Sequence, residues 1–347
     1  MKNEVIFFAV FITVILFIIL LDLLLLSRKS VVMSTKEALS WSLVWIGLAL
    51  GFALFLRLHA ELIHGIENME DLKKVASKFA PFLVLNSDNY QESIELYRIN
   101  TSTNFLSGYL IEKSLSVDNL FVIMTILASF SVRKSAYKSV LFWGIIGAIV
   151  MRCIFIFAGA ALIEKFEWSL YIFGVYLLYM GFKMYLDRNK EEAIQTDKHP
   201  VLKFISKYAN VFPRYVGNNF VLRIDKVFYI TPLFIVLVII EFTDLIFAMD
   251  SIPAIFAVTR DPYIVFFSNI FAILGLRTLF FLLINIIDKF HLIKVGVSIL
   301  LVYVGLKLIL HEWLLSIGFK PVYSLYFILT ILVSTIILSL VFPKKQE

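Results

Sequence analysis

The sequence is short of the residues on which soluble enzymes and metal–sulfur proteins depend. A single cysteine, Cys153, among 347 residues excludes a disulfide framework and any site built from several cysteines. Charged residues make up 17% of the chain, against about a quarter in soluble domains. None of the five histidines falls inside a long apolar run. The chain also has 60% hydrophobic residues and 34 phenylalanines, more than a water-soluble fold of this length would bury, so it is not a soluble domain.

Nine apolar runs are long enough, at about 20 residues each, to cross a bilayer as helices. Their continuity argues against a membrane barrel, whose strands alternate apolar and polar residues. The first run ends at Ser27-Arg28-Lys29 without a small-residue cleavage pattern, so we expect a retained helix and not a signal peptide. The sequence thus predicts an all-α, polytopic membrane bundle of about nine transmembrane helices. The runs are 5–26, 40–56, 105–130, 140–163, 168–186, 231–258, 263–287, 293–310 and 322–342.

Lysine and arginine predict the orientation in the membrane, because they favour cytoplasmic loops. The basic segments that would share the cytoplasmic side are 27–39, 131–139, 187–230, 288–292 and 343–347. The opposite side has one long loop, 57–104, in which seven acids outnumber five bases. We therefore expect a plasma (inner) membrane protein with its N-terminus outside and its C-terminus in the cytoplasm. The formal charge of +6 follows this loop pattern and indicates a lipid bilayer, not a nucleic acid, as partner.

Three pairs of short motifs recur in the same order, at offsets of 132, 125 and 124 residues. Under the predicted topology the two copies cross the membrane in opposite directions and form inverted three-helix repeats, between which transporters commonly bind substrate. The motif pairs are Glu112-x5-Asp118-Asn119 with Asp244-x5-Asp250-Ser251, Gly144-x7-Arg152 with Asn269-x7-Arg277, and Tyr179-x-Gly181-x-Lys183 with Tyr303-x-Gly305-x-Lys307. The predicted parts are two N-terminal helices with an outer loop (1–104), the first repeat (105–186), a basic cytoplasmic connector (187–230), the second repeat (231–310), and a C-terminal helix with a short tail (311–347).

Five carboxylates lie inside apolar helices: Glu112, Asp118, Glu241, Asp244 and Asp250. Each costs about 2.5–3.5 kcal/mol at mid-membrane, roughly 12–17 kcal/mol together. Such a set persists where its members face the protein interior, pair with cations, or hold an ion. A cation site is the functional interpretation, and ion pairs with buried bases are the alternative. Both hold if the bases neutralise the acids until metal enters. These counter-charges are Lys113, Arg152 and Arg277.

Helix geometry limits how the acids share one ion. Residues six apart, such as Glu112 and Asp118, point about 120° apart on a straight helix. Pro253 cannot donate a backbone hydrogen bond to the preceding turn. We therefore expect its helix to kink or unwind around Asp250 and to free carbonyl oxygens beside Ser251, as in the discontinuous helices of transporters.

The candidate ligands are carboxylates, the amide of Asn119, the hydroxyl of Ser251 and backbone carbonyls. A site of oxygen atoms suits Mg, Ca or Mn and disfavours Zn and Cu. The thioether of Met249 would favour Mn as an accessory ligand, although a methionine in an apolar helix more often packs or faces lipid. In the outer loop, His59-x-Glu61-x2-His64 would suit a metal-collecting site, although solvated loops commonly have this composition.

The chain resembles the TerC family in its two acidic segments. They read Glu112-Lys-Ser-Leu-Ser-Val-Asp-Asn119 and Glu241-Phe-Thr-Asp-Leu-Ile-Phe-Ala-Met-Asp-Ser-Ile-Pro-Ala254. The resemblance covers about residues 40–340. TerC proteins are membrane proteins named for tellurium resistance, and several are manganese exporters built from inverted three-helix units. The resemblance implies that the transport residues of this chain are Glu112, Asp118, Asn119, Glu241, Asp244 and Asp250.

We expect a secondary transporter that exports Mn²⁺ from the cytoplasm, with the divalent metal ion as substrate and without an organic cofactor. The same acids would also suit an exporter of organic cations or amino acids, or a membrane partner that delivers metal to secretory enzymes. An intramembrane hydrolase would need two facing aspartates, Asp118 and Asp250. No Gly-x-Gly-Asp segment accompanies them, and we therefore do not expect an enzyme.

Overall fold

The computed structural model describes residues 2–27, 33–81, 83–166, 168–187, 210–224, 227–284, 292–310, 313–314, 319 and 321–342. The predicted all-α membrane fold is confirmed, with one small hairpin as the addition. The helices are α1 (Lys2–Ser27), α2 (Thr35–His59), α3 (Glu61–His64), α4 (Met69–Phe79), α5 (Tyr90–Ser129), α6 (Tyr137–Lys165), α7 (Ser169–Asp187), α8 (Pro232–Phe256), α9 (Pro262–Leu274), α10 (Leu276–Leu283), α11 (Ile293–Ile309) and α12 (Pro321–Val341), with a 3₁₀ turn at Lys134–Ala136.

Six helices of the described part are each long and apolar enough to cross a membrane: α1, α2, α6, α7, α8 and α12. A seventh span results if α9 and α10, which are bent by 42° relative to each other, cross as one. The 40-residue α5 carries Glu112, Lys113 and Asp118 in its apolar half, and α11 has 17 residues. The chain is thus a multi-pass integral membrane protein, and the number of nine spans stays a prediction.

Side chains and prolines explain where several helices begin. Ser34 accepts a hydrogen bond from the Glu37 backbone at 3.2 Å and Glu37 reaches back to Ser34, a capping box that starts α2. Asp261 starts α9 by accepting from the backbone N–H of Tyr263 at 2.9 Å. Pro262 follows as the first helical residue, where its missing N–H is not needed.

The helix α8 is continuous from Pro232 to Phe256, so the expected unwinding around Asp250 is wrong, and the kink given as its alternative stays a prediction. Pro253 lies in the last turn of α8, where it removes one hydrogen bond close to an end that is already short of partners. Lipid offers no replacement for further lost bonds, which favours keeping the rest of the helix intact. The break in the second predicted repeat lies instead at Gly275, between α9 and α10.

The described part of the 187–230 connector contains a two-stranded antiparallel hairpin, which the sequence did not predict. Its strands are β1 (Val221–Ile224) and β2 (Val227–Ile230), with Val221 opposite Ile230 and Ile224 opposite Val227. Just before it, the Tyr215 hydroxyl donates to the carbonyl of Phe130 at 2.7 Å. This contact ties the connector to the end of α5 that leads into α6.

The helices α7 and α11 pack closely through small residues. A Cβ atom at Gly174 would meet the Gly305 carbonyl at 3.1 Å, and one at Gly305 would meet the Gly174 carbonyl at 2.8 Å. Further along, a Cβ atom at Gly181 would meet the Ser298 carbonyl at 2.9 Å. The 124-residue offset relates Gly174 to Ser298 and Gly181 to Gly305, so the contacts are reciprocal, as a two-fold axis requires. The inverted repeat stays a prediction, which this reciprocity supports.

Candidate metal site

The guanidinium of Arg152, on α6, contacts side chains from α5, α8 and α9. Its Nη1 donates to Glu112 Oε1 and, at 2.6 Å, to Asn269 Oδ1. Its Nε and Nη2 donate to the two carboxylate oxygens of Asp244 at 3.3 and 3.1 Å. One cation therefore joins an acid from each of the two predicted repeats.

This cluster lies in the protein interior. The side chain of Arg152 is 1% exposed, that of Glu112 is fully buried, and that of Asp244 keeps 13% of its surface. The planar fork of an arginine matches the two oxygens of Asp244 and leaves Nη1 for Glu112 and Asn269. The predicted contact of Arg152 with an acid is confirmed for Glu112 and Asp244. The convergence of all four acids, Glu112, Asp118, Asp244 and Asp250, stays a prediction.

Six buried side-chain oxygen atoms on α5 and α8 have no hydrogen-bond partner among the described residues. Three of them belong to Glu112 or to serines on the same helix face as an acid: Glu112 Oε2, Ser116 Oγ and Ser251 Oγ. Ser116 follows Glu112 by four residues and Ser251 follows Asp244 by seven, so each serine shares a helix face with its acid. A buried polar atom without a partner costs about 1–3 kcal/mol. Carboxylate and other oxygens are the atoms that hard divalent cations prefer.

The carboxylate of Glu241 lies between α8 and α6, over Gly147. A Cβ atom at position 147 would overlap both carboxylate oxygens. One turn earlier, the Cβ position of Gly144 is 3.9 Å from Glu241 Oε1. The two glycines thus form a notch that admits a half-buried acid. Asp244 follows Glu241 by three residues and shares its helix face.

Lys113 lies at the break between α9 and α10. Its Nζ donates to the carbonyl of Ala272 at 3.2 Å, and a Cβ atom at Gly275 would come within 2.8 Å of this nitrogen. A cation at the C-terminal end of a helix is favourable, because the last carbonyls there lack partners. The expected counter-charge role of Lys113 toward the acids stays a prediction, and the structure gives this residue a contact that the sequence did not suggest.

Arg277, the second predicted counter-charge, is buried on α10. It lines a cavity of about 300 Å³ together with Lys138, the amides of Asn218 and Asn219, and Trp143. This cavity lies at the start of α6, beside the connector. The pairing of Arg277 with an acid stays a prediction.

The side chains of Asp118 and Asp250 lie outside the described part of the structure, so their place in the site stays a prediction. Asn119 is buried on α5, and its role as a ligand likewise stays a prediction. Among the side chains that the structure describes, no three from histidine, cysteine, aspartate and glutamate are placed to hold a metal ion together. Arg152 therefore accounts for the convergence of Glu112 and Asp244 seen here.

Met249 does not face the cluster. It is 53% exposed and follows Phe242 and Ile246, also exposed, at the spacing of one helix face. An apolar exposed stripe on a membrane helix faces lipid. The role of Met249 as an accessory ligand stays a prediction, and its exposure supports the lipid-facing alternative.

Asn269 is included in the sequence analysis only as part of the repeat motif, and Gly147 is not included. Asn269 is fully buried, accepts from Arg152, and donates to the Val265 carbonyl at 3.1 Å. Its signal was present, because it is the one amide in the otherwise apolar α9. Gly147 had no such signal, since its role follows from the packing of α6 on α8.

The outer loop does not present His59, Glu61 and His64 as a solvated metal-collecting site. Glu61 accepts two hydrogen bonds from Arg98, one of them from Nε at 2.8 Å. The side chain of His64 is fully buried between Glu4 and Asp261. His59 is exposed, with its Nδ1 3.9 Å from Glu61 Oε1, whereas the side chain of His64 is buried, so the two histidines differ in their exposure to solvent.

Residues 98–347 match the integral membrane protein TerC family. A Salmonella typhi protein named "Putative membrane-bound redox modulator Alx" is 38% identical over 304 residues, which cover 87% of this chain and 85% of that protein. A membrane protein of Myxococcus xanthus is 38% identical over 331 residues, or 95% of this chain and 91% of its own. One from Rickettsia bellii is 37% identical over 305 residues, 88% of each chain. No solved structure matches the chain.

The family match covers the two acidic segments and the residues that meet at Arg152. The relatives extend the similarity over nearly the whole chain, including the outer loop and α2. The chain therefore belongs to the TerC family of integral membrane proteins.

Proposed function

We propose that the chain is a transporter that exports a divalent metal cation, Mn²⁺ first, from the cytoplasm across the plasma (inner) membrane. The observation that carries the proposal is the buried Arg152, which is shared by Glu112 and Asp244. Among the described residues, Glu112 Oε2, Ser116 Oγ and Ser251 Oγ have no hydrogen-bond partner. We further propose that the N-terminus lies outside and the C-terminus in the cytoplasm. The chemistry is binding and release of the ion, and we propose no catalysed reaction.

The donor set supports a hard divalent ion. It consists of carboxylates, serine hydroxyls and amide oxygens, and such ligands suit Mn, Mg and Ca. A divalent ion and the Arg152 guanidinium would compete for the oxygens of Glu112 and Asp244. Metal binding would thus weaken the arginine contacts, and release of the metal would restore them. This exchange keeps the buried charge balanced both when the metal binds and when it leaves, which a membrane interior requires.

Two alternatives use the same acids differently. An exporter of organic cations or amino acids would take them as counter-charges for an ammonium group. A metal-handling partner would bind the ion and deliver it to another protein without moving it across the bilayer. The name of the Salmonella typhi relative refers to redox modulation and speaks for neither.

The test is ion flux in liposomes that contain the purified full-length chain, with Mn, Mg, Ca, Zn and Fe compared. We expect Mn²⁺ flux to exceed that of Zn²⁺ and that of organic cations. Asp250→Asn and Asp244→Asn should abolish it, because an amide keeps the shape and removes the charge that balances the ion. Glu95→Gln is the matched control, since Glu95 lies on α5 but is exposed and paired with Arg57.

The outcomes separate the candidates. Flux of an organic cation without metal flux would replace the proposal by the first alternative. Metal binding without flux would favour the metal-handling partner. Normal Mn²⁺ flux by correctly inserted Asp244→Asn would remove the described cluster from the transport site.

A further inference from the structure

A buried histidine joins the N-terminal helix to the start of α9. Nδ1 of His64 lies 2.9 Å from Glu4 Oε1 on α1, and its Nε2 lies 2.9 Å from Asp261 Oδ2. The ring stacks on Phe79 at 4.8 Å and meets the edge of Tyr263 at 5.5 Å. The two carboxylates thus approach the imidazole from opposite sides.

The two partners of His64 lie on helices that pack against each other: Glu4 is on α1, and Asp261 is at the start of α9. Below the histidine, α1 and α9 meet through aromatic pairs, Phe8 with Phe266 at 5.2 Å and Phe11 with Phe267 at 4.2 Å between ring centres. Asp261 uses its second oxygen to cap α9. The histidine therefore closes the outer end of an apolar contact between α1 and α9.

The protonation state of His64 decides whether both contacts are hydrogen bonds. A neutral imidazole has one N–H, whereas both ring nitrogens of the charged form donate. With neutral His64, one of the two carboxylates would face a nitrogen lone pair, which is repulsive. Burial disfavours the charged ring, but the carboxylates of Asp261 and Glu4 outweigh it and raise the pKa of His64 above its ordinary value.

Apart from the α-amino group, which interacts with Glu4 and not with the imidazole, no other group among the described residues replaces this proton near neutral pH. The phenols of Tyr97 on α5 and Tyr263 on α9 ionise in general near pH 10, and burial raises the pKa of Tyr97 further. The charges on the neighbouring outer helices are engaged elsewhere. Glu61 is paired with Arg98, Lys78 with Glu164, and Arg260 also has a partner.

We propose that Glu4, His64 and Asp261 form a proton-binding site that holds α1 against the outer end of α9 while the imidazole is charged and lets α1 separate when the proton leaves. Because the folded pKa lies above the unfolded one, the stabilisation is complete below about pH 6.5 and is lost as the pH rises through the raised value. The site is thus a clamp that external protons close.

The clamp and the cluster around Arg152 each have a residue at α9: Asp261 at its start and Asn269 within it. Asp261 and Asn269 are eight residues apart, which is about 12 Å along α9. Asn269 is the residue through which α9 touches Arg152. A change in how α1 holds α9 therefore reaches the cluster through one rigid helix. The proposal does not depend on which ion the chain moves.

The test is a distance measurement by electron paramagnetic resonance on the full-length chain in nanodiscs. Nitroxides are attached at Val10→Cys on α1 and Lys73→Cys on α4, both exposed, with Cys153→Ser to remove the native thiol. Spectra are compared at about pH 5.5 and about pH 8.5, on either side of the histidine's range. We expect one narrow distance at the lower pH and a several-fold larger separated population at the higher pH, since each pKa unit corresponds to about tenfold.

The matched variants are His64→Gln and Glu4→Gln. His64→Gln should give a distribution that does not change with pH, because glutamine does not titrate. Glu4→Gln keeps the titrating ring and only one carboxylate, so its pH response should shrink, and it serves as the test if His64→Gln does not fold. Identical distributions of the parent chain at both pH values would overturn the proposal. So would a His64→Gln or Glu4→Gln variant that retains the full pH response.

Discussion

Gly147 of α6 and Glu241 of α8 share one space: the carboxylate lies where any other residue at position 147 would place its Cβ atom. The carboxylate fits there because Gly147 has no side chain. A single methyl group on α6 is therefore enough to move one of the predicted transport residues, without changing any charge.

We expect Gly147→Ala to lower metal flux about 5- to 150-fold, because added volume in a packed interior costs about 1–3 kcal/mol and displaces Glu241. Flux in liposomes is the measurement, with insertion checked by size-exclusion chromatography. Gly51→Ala in α2 is the matched control, since a Cβ atom there has no neighbour within 4 Å. Equal flux in the two variants would show that Glu241 is not needed in its notch.

Removing the guanidinium of Arg152 should destabilise the fold strongly. Arg152→Leu leaves Glu112 and Asp244 buried without their cation, which costs about 3–5 kcal/mol. Arg152→Lys should recover only part of this, because an ammonium cannot bridge three acceptors in the same geometry. Thermal unfolding in detergent, followed by tryptophan fluorescence, is the measurement.

The charge origin of that loss can be separated from the packing origin. Adding Glu112→Gln and Asp244→Asn to Arg152→Leu should restore much of the stability, because no unpaired charge then remains. Arg57→Leu, which breaks an exposed pair with Glu95, should change the unfolding temperature little. A triple variant as unstable as Arg152→Leu alone would show that shape, not charge, makes Arg152 necessary.

We expect Asn269→Leu to reduce flux while Asn269→Asp retains it. Leucine has no acceptor for Arg152 Nη1, so the guanidinium loses one of its three anchors. Aspartate keeps the acceptor and adds a negative charge, which should also raise the apparent affinity for a divalent ion. Flux as a function of metal concentration separates the two effects. Reduced flux in both variants would instead indicate that the donor to the Val265 carbonyl is the essential group.

Arg277→Leu should make metal uptake fall more steeply as the pH is lowered. If Arg277 helps to balance the intramembrane acids, protons must take over part of that role and will compete with the metal. Uptake into liposomes between mildly acidic and mildly alkaline pH is the measurement, with Arg214→Leu in the connector as control. An unchanged profile would assign Arg277 to the cavity that it shares with Lys138 and not to the acids.

Much of the fold can be predicted from the sequence because membrane helices are recognisable from their apolar composition. Runs of about 20 apolar residues have few alternatives in lipid, so the helices lie where the runs predict them. The acids and Arg152 were equally visible, since a charge in an apolar run stands out against its neighbours. These groups are predicted to meet for two reasons: the repeat gives them corresponding positions, and the cost of burying a charge favours pairing it with an opposite charge.

What the sequence could not give depends on contacts between distant segments. The notch at Gly147 and the Lys113 contact at Gly275 arise from how helices cross, and a glycine in a membrane helix has many other uses. The position of His64 in the sequence predicts only a loop residue, because its partners Glu4 and Asp261 lie 60 and 197 residues away from it. The effect of Pro253 depends on how near the end of α8 it lies, and the sequence does not fix that end.

The crossing of α7 and α11 has a consequence for the two halves of the chain. Where Gly174 and Gly305 bring two backbones together, no acyl chain fits between them. In the bilayer, water does not drive such a contact, and its strength comes from dispersion between close atoms set against the freedom that lipid tails gain or lose. The strength of the contact between α7 and α11 therefore depends on the order and thickness of the surrounding acyl chains as well as on dispersion. The lipid composition of the membrane thus affects how tightly the two helices are joined.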